Sequence, residues 1–128
     1  MKRILLAAAL LVTASSAFAE WKLIDSSDKR DLFLDVSRIR MEGSLVKYWI
    51  LESYKRPQTL NSFLYRSTVY LSEIDCQNEN YRIHSGSWFS DAMRKGDLVS
   101  AINGPFDWND VVPNSSTEYF MKKLCPKR

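Results

Sequence analysis

The sequence predicts an α+β domain: an antiparallel sheet of about six strands, mostly a meander of hairpins, with one C-terminal α-helix tethered to it by a disulfide. Three observations carry this prediction. Alternating runs rich in β-branched and aromatic residues recur from Trp21 to Ile102, divided by polar and glycine-containing turns. A single capped helical segment follows, from Ser115 to Cys125. Finally, the chain has 2 cysteines; Cys76 ends the central strand candidate and Cys125 ends the helix.

The N-terminus sets the compartment in which those cysteines work. Lys2 and Arg3 precede an apolar run from Ile4 to Ala14, and Ala17-Phe18-Ala19 has the small-x-small form cut by signal peptidase. Residues 1–19 therefore read as a cleaved signal peptide, with cleavage between Ala19 and Glu20. The run is too short for a transmembrane helix, which needs about 20 apolar residues, so no membrane span is expected after cleavage. Glu20 is not a cysteine, so lipid anchoring through the mature N-terminus is not expected either. The remaining residues, 20–128, make one domain. Loss of Lys2 and Arg3 leaves 16 basic against 15 acidic residues, so the formal charge falls from +3 to +1. That balance leaves no electrostatic footprint for nucleic acid.

In an oxidising compartment two cysteines allow one intramolecular pairing, Cys76 with Cys125. A metal site would need more soft ligands than two thiols and one histidine, so neither a metal nor a cofactor is expected.

Each element has its own local reason. Trp21–Ile24 is a short alternating edge strand, followed by turn residues Asp25–Asp28. Asp31–Val36 is the second strand, and Glu42-Gly43-Ser44 is a hairpin turn whose glycine can take positive φ. Leu45–Tyr54 is apolar on both alternating faces, as expected of a strand covered on two sides. Polar Lys55–Ser62 contains Pro57 and reads as a surface loop, where binding function often resides. Tyr65–Cys76 is the central strand, and its Thr68, Tyr70, Ser72, Ile74 and Cys76 should face the helix. Strands Tyr81–Phe89 and Leu98–Ile102 complete the set, with turns at Gln77–Asn80 and Asp91–Gly96. An aromatic connector from Phe106 to Pro113 leads to the helix. There Ser115 and Glu118 form a capping box, and Phe120, Met121, Leu124 and Cys125 share one side.

Trp49, Leu51, Val69 and Leu71 are left on the face away from that short helix. They need another cover: sheet curvature, the aromatic connector or a second copy of the chain.

Catalytic constellations are sparse. His84 is the sole histidine, lies mid-strand, and lacks a nucleophile-elbow pattern beside it. A hydrolase would have to pair it with Glu73 or Asp75, which share a strand face; the ordinary reading is a sheet histidine and an Asp75 that anchors a turn. Asp107-x-Asn109-Asp110 lacks the downstream glycine and glutamate of a calcium loop. Asn114-Ser115-Ser116 matches a glycosylation acceptor, but the helix cap explains it sufficiently. No catalytic residue is assigned. The aromatic surplus interleaved with cations is suited to an adhesive surface, with Tyr54, Lys55, Arg56, Arg94 and Lys95 as the candidate patch.

Together the signal peptide, Trp21, Phe33-Leu34-Asp35, Ser37-Arg38-Ile39, Tyr48-Trp49, Ile74-Asp75-Cys76, Trp108, Pro113-Asn114-Ser115, Glu118 and Cys125 resemble the surface-adhesin protein E family of Gram-negative bacteria. The resemblance spans nearly the whole mature chain. It implies the same fold, with cysteines in the same places, and it implies binding rather than catalysis. Its namesake is an outer-membrane adhesin for epithelial cells and host proteins such as laminin and vitronectin, and it can dimerise. A protein ligand, a homodimer and a location in the periplasm or at the cell surface are the corresponding expectations. The alternative is a periplasmic envelope protein that binds an endogenous partner or a small ligand. One departure is the absence of a lipobox cysteine, and no short motif carries over ligand-binding residues.

Overall fold

Alternation with period two makes two long strands the spine of the molecule: β4 (Leu45–Leu60) and β5 (Phe63–Asp75). They pair antiparallel from Leu45↔Asp75 to Leu60↔Phe63. The structure, a computed structural model, describes residues 19–127; apart from Ala19, the expected signal peptide lies outside the described residues. Around the spine lie β1 (Trp21–Ser26), β2 (Arg30–Asp35), β6 (Asn80–Phe89) and β7 (Leu98–Asn103). The sheet order is β1-β2-β4-β5-β6-β7, an antiparallel path of six strands. The predicted meander is therefore present. Two further short strands are added among the described residues: β3 (Arg40–Glu42) pairs with β4, and β8 (Asn109–Asp110) pairs with β6. The Gly43 turn, with φ of 60°, joins β3 to β4 as the hairpin reading required.

One expectation is corrected. Residues 55–62, read as a surface loop because of Pro57, instead supply the second half of β4 and its turn. The strand survives the proline because its register breaks there. Ser53 faces Ser67 and Gln58 faces Tyr65, so four residues of β4 bulge opposite Arg66 alone. Arg66 compensates for the lost ladder by donating from Nε to the Tyr54 carbonyl at 3.2 Å and from Nη2 to the Lys55 carbonyl at 3.0 Å. The missing amide hydrogen of Pro57 thus falls where no ladder bond is needed.

The helix α1 (Ser116–Leu124) covers one face of the sheet. Its Ser115 cap accepts the Glu118 amide hydrogen at 3.2 Å, while Glu118 accepts from the Asn114 amide and from Lys122 Nζ. Phe120 is buried with Leu32, Leu34, Val46, Tyr48, Ile50 and Ile74, and its ring centroid lies 5.3 Å from that of Tyr48. Cys76 and Cys125 are bonded, with Cα atoms 5.7 Å apart, and both pack against this core. At nine residues the helix is too short to persist alone in water, so packing and the tether must hold it.

Breaking the tether, by reduction or by Cys125→Ser, is expected to cost on the order of 4 kcal/mol, because the bond closes a loop of roughly 49 residues in the unfolded chain. Chemical denaturation with and without reductant measures this. An unchanged transition midpoint would refute a stabilising role for the bond.

Candidate functional site

The face opposite the helix is where the chain builds its surface features. Trp49, Leu51 and Ser53 on β4 alternate away from the core and meet Leu71, Val69 and Ser67 of β5. Leu51 and Ser67 are wholly buried, and Val69 and Ser53 nearly so. Their cover is neither the aromatic connector nor the helix. The β6–β7 connection folds back as a short 3₁₀ turn, Ala92–Arg94, and two serines hold it by its backbone. Ser53 Oγ accepts the Met93 amide hydrogen at 3.1 Å, and Ser67 Oγ accepts that of Arg94 at 2.9 Å. The Ser67 hydroxyl also donates to the Asp91 carbonyl at 2.6 Å. These bonds sustain positive φ at Met93 and Arg94 (57° and 61°), which non-glycine residues seldom adopt. Gly96 closes the loop at φ of 77°, where a Cβ would lie 2.2 Å from Ser90 Oγ.

Between this turn and the sheet's first edge lies a groove with a volume of about 300 Å³. Trp49, Val69 and Ser87 line it along three adjacent strands. Trp21, Asp35 and Arg38 line it towards the first edge, with Phe89 and Arg94 towards the turn. Arg94 places its guanidinium 5.8 Å from the Phe89 ring centroid, a cation–π distance. The groove thus offers aromatic surface with two guanidinium groups and one buried carboxylate.

The predicted patch is divided between two surfaces. Arg94 and Lys95 are exposed on the covering turn. Tyr54 turns to the helix face, where it stacks edge-on with Tyr65 and its hydroxyl donates to Glu52 Oε2 at 2.7 Å. Burial and that bond push its phenol well above the ordinary value. Lys55 pairs with Asp31 at 3.0 Å; hydrogen bonds from Ser26 and Lys55 hold the Asp31 carboxyl below its usual value. Arg56 is exposed on the bulge, and the nearby hairpin tip exposes Phe63 and Leu64, at 50% and 64%. Sequence reasoning missed those two because the stretch before them read as a loop.

A third cluster concerns His84. A bulge in β6 brings His84 Nε2 to 3.0 Å from Glu73 Oε1, which also accepts from Arg82 Nε at 2.7 Å. The Arg82 guanidinium in turn lies 4.4 Å from the centroid of the Trp108 ring. The histidine–carboxylate pair considered for hydrolysis therefore exists in space. Among the described residues no hydroxyl or thiol is hydrogen-bonded to His84. Through Arg82 the Glu73 carboxylate is linked to Trp108 of the aromatic connector. Asp75 is occupied elsewhere: it accepts from the Gln77 and Asn78 amides and the Asn78 side chain, anchoring the β5–β6 turn. Among the described residues no group of three or more His, Cys, Asp or Glu converges on a metal position, and no helix is long and apolar enough to cross a membrane.

Comparison with known proteins agrees with this architecture. The family model described as surface-adhesin protein E matches residues 21–126. A structure of Haemophilus influenzae protein E is similar with a TM-score of 0.57 and 9% sequence identity, covering 81% of this chain and 85% of that one. At that identity the likeness concerns the fold. A search of curated proteins finds no match.

Burial pushes the Glu73 carboxyl up, but hydrogen bonds from His84 and Arg82 outweigh it and hold the group below 4.5. A carboxyl depressed in the folded state stabilises above its unfolded value and loses that contribution as pH falls through the folded value. Glu73→Gln is therefore expected to melt below the parent at pH 7, with the gap narrowing as pH falls under about 4.5. Thermal melts across pH 7 to 3 test this, and a constant gap would contradict it.

Proposed function

The chain belongs to the surface-adhesin protein E family, and from that premise we propose that it is an exported, non-enzymatic binding protein that takes a protein ligand on the cationic end of its sheet. One observation carries the reading. From Ser53 to Ser72 the β4–β5 hairpin holds Lys55, Arg56 and Arg66 and no acidic residue, while its tip exposes Phe63 and Leu64. Exposed apolar side chains at the tip, with Arg56 exposed on the adjoining bulge, can bury surface against a partner while the charge steers encounter. Arg94 and Lys95 on the covering turn add charge on the face opposite the helix. Ligands of the kind implied by the family are host-cell or matrix proteins such as laminin and vitronectin.

A second reading is favoured by the groove beside Trp49, whose volume of about 300 Å³ suits a small molecule better than a protein surface. On that reading the protein works in the periplasm on an endogenous partner or small ligand. Protease treatment of intact cells, with a periplasmic marker as control, separates the two. Digestion with the marker intact supports the surface adhesin, and protection supports the periplasmic protein.

If the hairpin tip is the anchor, Phe63→Ser combined with Leu64→Ser should weaken binding to immobilised laminin or vitronectin by about tenfold or more. The melting temperature should stay unchanged, because both side chains are exposed. Arg56→Glu should mainly slow association and flatten its salt dependence. Equal binding by parent and double variant would overturn the assignment.

A further inference from the structure

Asp35 ends β2 almost completely covered, with 1% of its surface exposed. Its two carboxylate oxygens are treated very differently. Oδ1 accepts three hydrogen bonds: from the Ser37 amide at 3.0 Å, the Ser37 hydroxyl at 2.6 Å and the Glu20 backbone N–H at 3.1 Å. The two from Ser37 make a local turn that ends the strand, which accounts for an aspartate here. Oδ2 is buried and accepts no hydrogen bond. The nearest cation is Arg38, whose Nε stands 3.7 Å away on a side chain 44% exposed. A buried carboxylate with one oxygen unsatisfied is costly, and a distant guanidinium offsets that cost only in part. A second, closer cation would complete the site.

The chain can supply one. Ala17-Phe18-Ala19 marks the bond between Ala19 and Glu20 for signal peptidase. Hydrolysis there adds one water across the C–N bond. The leader departs with the Ala19 carboxylate, and the Glu20 nitrogen takes up protons to become an α-ammonium, with three donors in place of one amide hydrogen. That nitrogen already lies against Asp35. Its position is set by bonds on the mature side of the cut: the Glu20 carbonyl accepts the Val36 amide hydrogen at 3.0 Å, and Trp21 pairs with Asp35 across the β1–β2 ladder.

We infer that Asp35 is the receptor for the α-ammonium group of Glu20 created by this cleavage. Removal of the leader turns a single amide hydrogen bond to Oδ1 into an ion pair with further donors to offer Oδ2. It fastens the edge strand β1 just ahead of its first residue, Trp21, where an unpaired end would otherwise fray. The same cut takes Ala19 out of the wall of the groove and leaves a cation beside Trp21. Processing thus opens the groove and changes its charge in one step. The inference rests on cleavage at Ala19–Glu20 and is independent of the adhesin reading.

The test uses full-length chain exported in a Gram-negative host and purified from the envelope. Intact mass should show a chain that begins at Glu20. At neutral pH, pulse acylation of its α-amine should run about tenfold slower in the folded protein than in urea, equivalent to one unit of amine pKa. Asp35→Asn should abolish that protection. In parallel, the mature chain refolded with its disulfide is compared with the same chain carrying one extra glycine ahead of Glu20, which moves the ammonium about 3–4 Å away. The extension should lower the melting temperature by roughly 5 °C, which keeps the test decisive even if Asp35→Asn fails to fold. A chain that starts elsewhere, equal acylation of folded and unfolded protein, or an extension that melts with the parent would each overturn the inference.

Discussion

A sheet whose two central strands are apolar on both faces must be covered twice, and the rest of this structure follows from that constraint. Val46, Tyr48 and Ile50 point to one side of β4, Trp49 and Leu51 to the other, and most of these side chains are buried. On one side the cover is a helix with an apolar stripe, held by Phe120 and the disulfide. On the other it is a loop that brings little apolar surface and is held by backbone hydrogen bonds to Ser53 and Ser67. Two solutions to one problem therefore coexist: hydrophobic burial with a covalent tether, and polar fastening of a strained turn.

The two covers were unequally legible in the sequence, for physical reasons. The helix announces itself locally through the Ser115–Glu118 box and the spacing of Phe120, Met121 and Leu124, and export makes the cysteine pairing unambiguous. The meander was legible because turn residues separate the alternating runs. The serine-held turn was not: its bonds join residues 40 and 27 positions apart, and a serine in a strand carries no local sign of a distant backbone partner. The second half of β4 was missed for a related reason. Pro57 normally argues against a strand, and only Arg66, a side chain from the neighbouring strand, makes the break tolerable. Of the candidate site, the cations were legible, but the division of Tyr54 from Arg94 onto opposite faces depends on strand parity through the bulge.

The buried polar groups serve the architecture in a specific way. Asp75, Ser53 and Ser67 each hold a turn in place, and Glu73 with His84 ties β5 to β6. Much of their hydrogen-bonding capacity is taken up by architecture.

In the opposite face Ser53, Ser67 and Glu73 each meet a partner supplied by the fold, whereas Asp35 Oδ2 accepts no hydrogen bond. Secondary structure cannot answer it, because β2 has ended and the local turn has used only Oδ1. A side chain answers poorly, because Arg38 reaches it at 3.7 Å from a partly solvated position. A terminus released by cleavage at Ala19–Glu20 would need no side-chain ordering to arrive, since β1 pairing already holds the Glu20 nitrogen 3.1 Å from the neighbouring Oδ1. The conformational entropy of the contact is therefore largely spent by the fold before the ion pair forms, which is why a terminal ammonium can succeed where the arginine does not.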